Sequence, residues 1–557
     1  MRQEKALAIL KSGKNVFLTG SAGTGKTYVL NEYISYLKSR KVPVAITAST
    51  GIAATHMNGM TIHSWAGIGV KEHLTRGNLA SMKTKKYLKN HLEKVKVLII
   101  DEISMLHKNQ INLVDVVLQY FKDNDAAFGG IQVVFSGDFF QLPPIGKPGE
   151  TSKEKFSFMS DAWLRASLAV CYLTEQYRQS DNELNLILNE IRQGVISDYS
   201  YAQLKKASKN ELQQSKNLTK LYTHNSDVDR INAEHLATLS GDPKTFSATT
   251  KGNEKLVETL KNSVLAGEYL AFKIGAKVMF VKNDTEKRYV NGSMGTVIGF
   301  TDKGFPSVKL LDGKTIATDI ESWSIMDDDG KTLASYNQIP LRLAWAITVH
   351  KCQGMTLDEA EIDLSKTFEK GQGYVALSRL KKLESLQLIG LNAMALSVDS
   401  LAQKADARFQ ELSEDADNAS NLDELELQAS VFIKAVGGLT NSKEITKNKN
   451  KLKEKVRGKL STYQATLIHL KQRVSIKEIA EIRGLSEGTI AGHLIKIRKD
   501  YPDENLSFYK PKASIVKQVK QAYDQLPKTS SKSLNAIYRK LAGKVSYDDI
   551  KLAIAFI

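Results

Sequence analysis

The chain has 557 residues, 42% of them hydrophobic and 25% charged, with a formal net charge of +17; that length exceeds one core and implies three or more domains. No apolar run approaches the roughly 20 residues of a membrane span, and the start MRQEKALAIL lacks the long apolar stretch of a secretory signal. Two cysteines, Cys171 and Cys352, are too few for a disulfide framework or a metal knuckle, so a soluble protein of the reducing cytoplasm, with no membrane partner, is expected.

Residues 15–20 (NVFLTG) read as a short apolar strand running directly into GSAGTGKT, residues 20–27, with a helix expected over 28–37. The pattern G-x-x-x-x-G-K-[ST] between strand and helix is that of a phosphate-binding loop. Its glycines let backbone N–H groups curl around phosphate oxygens, and the helix N-terminus adds partial positive charge. Lys26 is placed to reach the β and γ phosphates and Thr27 to ligate Mg²⁺. A strand follows at 44–46, and another at 97–100 within KVLIIDEIS. The latter ends in Asp101, where Mg²⁺ needs a carboxylate, and Glu102, placed to orient an attacking water. Strands alternating with helices in this way indicate an α/β, doubly wound parallel sheet.

The run AFGGIQVVFSGDFFQLPP, 127–144, holds a Gly129-Gly130 turn and a strand at 131–135. It then ends in a carboxylate, two aromatics, an amide and a double proline, an ending an ordinary strand does not need. As the next strand of the same sheet, its C-terminal tip falls at the edge that carries the phosphate loop. Gln141 is expected to sense the γ-phosphate there, while the rest of the segment leads away toward a distant site.

Later motifs lie far from the loop. LTEQYRQSDNELNLILNEIRQG, 173–194, sets Arg178 between a strand and an amphipathic helix, and GYVALSRLKKLESLQLIG, 373–390, carries Arg379 on a helix before a strand. Two arginines in apolar settings suggest a second lobe supplying arginine fingers. Residues 275–320 alternate on a short period with Gly, Asn and Asp turns, the pattern of a small β-barrel. Residues 411–426 are acidic and polar and 441–459 lysine-rich, both read as linker or exposed helix.

From 443 to 557 there are 25 Lys/Arg against 11 Asp/Glu, a net of +14, which leaves only +3 for residues 1–442. That concentration is the electrostatic footprint of a polyanion partner. Within it, 463–497 reads as helix, second helix at 476–482, a Gly484 turn and a third helix opening at Ser486, a good N-cap. This is a helix-turn-helix with the third element as recognition helix; docking to protein stands as the alternative use.

Taken in order, the loop, TASTGIAATH (47–56), TIHSWAGIG (61–69), IIDEISM (99–105), GDFFQLPP (137–144), EQYRQS (175–180), AITVHKCQGMTLD (346–358) and YVALSRL (374–380) resemble the motifs of superfamily 1B DNA helicases. FGGIQ before GDFFQLPP is similar to the segment that marks the petite-integration-frequency (Pif-type) group. The resemblance covers roughly residues 1–395. This chain departs from the family in having Ala127 where proline is usual, an apolar 114–121 where basic residues are usual, and Cys352 where serine is frequent. The tail resembles the helix-turn-helix appended to some bacterial helicases, RecQ-type enzymes included.

The resemblance implies two RecA-like lobes, 1–165 and 166–274 with 339–400, an inserted small β-barrel at 275–338, a charged linker at 401–455 and an all-α helix-turn-helix module at 456–557. It implies an ATP-dependent, 5′→3′ DNA helicase with ATP and Mg²⁺ as cofactors. Gln3 falls at the adenine-reading position. Gly20, Ala22, Gly23, Thr24, Gly25, Lys26, Thr27 and Tyr28 would cradle the nucleotide, and Asp101, Glu102, Gln141, Arg178 and Arg379 would complete the catalytic set. Single-stranded and forked DNA are the implied partners of a monomer, with G-quadruplex DNA a family expectation. The strand would touch Thr50, Thr61, His63, Val349, His350 and Lys351; Trp65 is either a base-stacking or a core residue. The sequence leaves open a RecD-like helicase of conjugation or recombination, an ATP-switched DNA-binding regulator, and action on RNA.

Overall fold

The structure, a computed structural model, describes residues 1–557 except 58, 70, 180, 211–217, 285–287, 290, 311–312, 327–331, 420, 458–461, 472, 501–503, 505 and 527–533. It divides into two units, Met1–Asn441 and Ser442–Ile557. Among the described residues no helix is long and apolar enough to cross a membrane.

The first unit begins with strands β1 (Val16–Gly20), β2 (Val44–Ala48), β3 (Met60–Thr61), β4 (Val97–Asp101), β5 (Gln132–Ser136) and β6 (Ala169–Leu173). They form one parallel sheet in the order β3-β2-β4-β5-β1-β6. β1 and β5 are buried along their whole length and β4 up to Asp101, which is why they read as unbroken apolar runs. Val134 of β5 lies opposite both Val16 and Ile99. The chain therefore leaves β1, β4 and β5 at one edge, bringing together the phosphate loop, Asp101-Glu102 and Gly137-Asp138. β6 pairs with β1 through residues 169–173, so this sheet runs past the expected boundary at 165.

A second parallel sheet holds Ala346–Thr348, Thr219–Tyr222, Ala360–Leu364 and Leu386–Leu391, in that order. The inserted region is antiparallel. Thr315–Ala317, Pro306–Leu310, Met294–Phe300, Lys277–Phe280 and Leu341–Leu343 make a five-stranded sheet over its own core of Phe272, Phe280, Val297 and Val308. Glu321–Met326 pairs instead with Thr332–Gln338, which pairs in turn with Thr249–Gly252. Strand pairing thus extends this region beyond the expected 275–338 on both sides.

The linker expected at 401–455 is largely something else. Ser400–Ala419 is a helix whose Ala402 and Phe409 are buried in the core of the first lobe. Phe409 packs edge-on against Phe17 of β1, ring centroids 4.9 Å apart. Leu422–Ala435 follows, burying Leu425, Ala429 and Ile433. Their spacing of four is an apolar stripe that the acidic composition had masked.

The second unit contains the expected helices Ile476–Arg483 and Glu487–Asp500, joined through Gly484 at φ +61°. It also contains a second copy of the same pattern, which was not foreseen. IKEIAEIRGLSEGTI (476–490) is echoed by LNAIYRKLAGKVSYDDI (534–550). Buried Ile479 and Ile490 answer to buried Ile537 and Ile550, and Gly484 to Gly543 at φ +73°. Ser486 accepts from the Thr489 N–H as Ser546 does from that of Asp549. The third helices of the two copies pack on each other: Lys551 of Tyr547–Ile554 donates to the Gly488 carbonyl at 3.0 Å.

Candidate nucleotide and DNA site

β1 delivers the chain into a loop where Gly20, Gly23 and Gly25 sit at φ +137°, +95° and +85°. Only glycine is at ease there. A Cβ would also fall 2.5 Å from the Leu173 carbonyl oxygen at Gly20, 2.7 Å from Arg178 Cβ at Gly23 and 2.2 Å from Gln3 Nε2 at Gly25. Helix Lys26–Ser39 opens with no side-chain cap, so its first N–H groups and positive dipole end suit an anion. Lys26 Nζ donates to the carbonyls of Gly20 and Ser21, at 2.8 and 3.1 Å. Burial lowers its pKa, while the Asp138 and Glu102 carboxylates oppose that. Gln3 donates to the Thr24 carbonyl at 3.0 Å, and Thr24 itself is buried, its hydroxyl donating to the Ser21 carbonyl. Thr27 lies in the first helical turn; Tyr28 is exposed.

Asp101 closes β4 and Glu102 follows at φ +51°, a left-handed conformation uncommon for a side-chain-bearing residue. Burial raises both carboxyl groups; together with the neighbouring Asp101 charge it pushes Glu102 up to about 7, against the pull of Lys26 and Arg379. The residue in contact with Glu102 is one that motif reading did not single out. Gln353 of the second lobe donates from Nε2 to Glu102 Oε2 at 3.0 Å and to Gln141 Oε1 at 3.3 Å. Gln141 is buried and leans on Asp138.

The segment carrying Arg178 lies directly on the phosphate loop. The Tyr177 N–H donates to the Gly23 carbonyl at 3.0 Å, and Gln176 donates to Ser21 Oγ and the Ala22 carbonyl at 2.8 and 3.1 Å. Arg178 donates to the Ser378 carbonyl, and burial, with repulsion from Arg379, lowers it to about 9. Arg379 is 1% exposed and turned into its own lobe, donating to the carbonyls of Val375 and Met355 and to Ser378 Oγ. Arg178 therefore lies beside the loop and Arg379 does not touch it; both are held on backbone carbonyls rather than carboxylates.

The odd strand ending at 137–144 fastens the lobes together. Asp138, 1% exposed, accepts from Arg192 at 2.9 and 3.0 Å and from the Tyr374 hydroxyl at 3.1 Å. Tyr374 in turn accepts from the Ala22 N–H of the phosphate loop at 3.2 Å. Arg192 continues to Tyr172 and Asp406 and lies 4.1 Å over the Phe140 ring. Phe139 enters the aromatic core with Phe17, Phe158 and Trp163. The carboxylate and Phe140 thus serve lobe contact, Phe139 serves the core of the first lobe, and the amide serves the Glu102–Gln353 pair.

The residues expected on DNA fall into two groups. Thr50 and Thr61 lie just beyond β2 and at the end of β3, adjacent strands; Thr50 accepts from the Ala53 N–H and Thr61 caps Ser64. His63 is half-buried, its pKa lowered by burial. In the second lobe, His350 stacks on Phe368 with ring centroids 6.3 Å apart and planes 17° apart, and Lys351 is half-buried. Val349 differs: its side chain is buried, its N–H donates to the Tyr222 carbonyl and its own carbonyl accepts from Cys352 Sγ. Trp65 is 4% exposed in the first core, a packing residue. The expected recognition helix of the tail is covered in part, with Glu487, Thr489 and Lys496 exposed. Asp548 lies where a Cβ on Gly488 would stand, and His493 is buried against Thr466 at 2.7 Å.

The sequence profile described as PIF1-like helicase matches residues 3–199, and one described as a helix-turn-helix domain matches 462–554. The ATP-dependent DNA helicase Pif1 of Psychrobacter sp. (strain PRwf-1) is 45% identical, over all of both chains. The crystal structure of Bacteroides sp Pif1 in complex with ADP-AlF4 superposes with a TM-score of 0.65 at 31% identity, covering 73% of this chain and 96% of that one. The Bacteroides Pif1 complex with ADP-AlF3 and ssDNA gives 0.52 at 31% identity, over 72% and 94%.

Proposed function

The chain belongs to the Pif1 family of ATP-dependent DNA helicases, and from that premise we propose that it travels 5′→3′ on single-stranded DNA and opens forked duplex, with ATP held between residues 20–27 and the Arg178 segment. The observation that carries this reading is the Gln353–Glu102 hydrogen bond, which joins the candidate catalytic carboxylate of one lobe to the turn after the His350-Lys351 segment of the other. ATP binding would exchange the carbonyl partners of Lys26 for β and γ phosphate oxygens. The Thr27 hydroxyl and Asp101 carboxylate are hard oxygen donors that would hold Mg²⁺, which neutralises phosphate charge when bound. Glu102, next to that carboxylate and partly buried, would orient the attacking water. Arg178 and Arg379 would turn from their carbonyls toward charge developing on the phosphates. Both halves of this site come from one chain, which supports a monomer as the working unit. Thr50, Thr61, His63, His350 and Lys351 would line the strand path, and structured DNA such as G-quadruplexes would be met along it.

Lys26→Ala tests the site. It should abolish ATP hydrolysis while single-strand binding survives, and normal turnover in the variant would remove the assignment. Direction is tested on tailed duplexes: those with a 5′ single-stranded tail should open and 3′-tailed ones should not. Equal opening of both would contradict the 5′→3′ reading.

A further inference from the structure

Arg342 stands on the short strand Leu341–Leu343, opposite Met279 in the inserted five-stranded sheet. Its Nε is sealed from solvent without a hydrogen-bond partner, and among the described residues no carboxylate lies within ion-pair distance of its guanidinium. A buried donor that carries charge and has no partner is costly, and folded proteins rarely keep one without use. Nine residues on, Lys351 is half-buried at the turn that follows Ala346–Thr348. Burial lowers the pKa of both groups, and Arg342 lowers that of Lys351 further by repulsion. The acidic group that acts on both is Asp229, exposed on helix Asn225–Thr238 and outside ion-pair range. Neighbouring lysines of this lobe have their carboxylates: Lys220 pairs with Glu361, Lys282 with Glu321 and Lys366 with Asp227. Two cations that repel each other, with their shared acid beyond ion-pair range, describe a gap for an anion. Beside it, His350 lies flat against Phe368, whose ring is 54% exposed, the kind of surface on which a base rests.

We propose that Arg342 and Lys351 clamp one phosphodiester of the single strand where the inserted sheet joins the second lobe. The inference rests on the reading of Lys351 as a DNA contact, and adds a residue that no motif indicates.

The test is binding of a fluorescent oligothymidylate to the full chain over a salt series, with thermal unfolding of each variant measured alongside. Arg342→Gln should weaken binding about tenfold and reduce the slope of log affinity against log salt by roughly 0.7, the single-strand value for one phosphate contact. Its unfolding midpoint should hold or rise, because a sealed donor without a partner has gone. Arg342→Lys should keep the slope. If Lys351→Gln changes affinity and slope while Arg342→Gln changes neither, the clamp is wrong and the strand path stands. Weakened binding with an unchanged slope and a lowered midpoint would make Arg342 structural and also overturn the clamp. If neither variant affects binding, the path through Lys351 fails together with it.

Discussion

Gln353 shows what a residue-by-residue reading can and cannot see. Lys26 and Thr27 could be named from spacing because a phosphate loop is local: the spacing that identifies it is the geometry that makes it work, whereas Gln3 was reached only through the family resemblance. Gln353 touches Glu102 across 251 positions of sequence, and Tyr374 touches Ala22 across 352. No periodicity encodes such contacts. Asp138 was noticed as chemically odd, but its partner Arg192 lay unremarked in an amphipathic helix, since a buried ion pair looks from either side like a misplaced charge. Val349 and Trp65 show the reverse: they sit within DNA-contact motifs, yet their side chains are core, the second of the two readings given for Trp65. Gln353 also yields a measurable effect. With Gln353→Ala, Glu102 loses its tie to the His350-Lys351 turn, and turnover stimulated by single strand should fall about tenfold, equivalent to ~1.4 kcal/mol in the barrier. Strand affinity should hold, since Gln353 is buried away from solvent. Unchanged stimulated turnover would show that the hydrogen bond is incidental.

At the scale of elements, apolar strands bounded by glycine were readable to within a residue or two, because parallel strands covered on both faces must be apolar throughout. Helices Ser400–Ala419 and Leu422–Ala435 were not, since acidic residues interrupt both and their buried residues form only a narrow stripe. The β-insertion was recognised from its short period, but its closing strands Thr249–Gly252 and Leu341–Leu343 come from flanking sequence and were assigned elsewhere. These two helices belong to the motor's core, and that is testable. Ending the chain after residue 441 should leave the first unit folded, whereas ending it after residue 399 should destabilise it severely. Phe409→Ala in the full chain should cost roughly 3–5 kcal/mol, the usual price of removing a buried aromatic, read from denaturant unfolding. A loss below about 1 kcal/mol would return the helix to the status of a linker.

Across the whole molecule, charge and chemistry are divided between the units. The +14 on residues 443–557 follows in sequence every candidate residue of the ATP site, all of which precede residue 380. The start of the expected recognition helix is packed at Gly488 against the last helix, and with a net charge of +14 the tail's attraction for DNA should follow phosphate charge more than base sequence. Removing it after residue 441 should therefore weaken binding to duplex and forked DNA of any sequence and flatten the salt dependence. Duplex affinity and salt slope equal to those of the full chain would show that the tail docks something else. The motor should keep its response to single strand, because lobes, nucleotide and strand path all lie before that point. The most direct test of the account is the steady-state rate of ATP hydrolysis as single-stranded DNA is titrated into the full chain, with Lys26→Ala alongside. The account predicts a low rate that climbs to a plateau with added strand, and no hydrolysis by the variant at any concentration. A rate indifferent to single-stranded DNA, or a variant that hydrolyses ATP as the parent does, would contradict it.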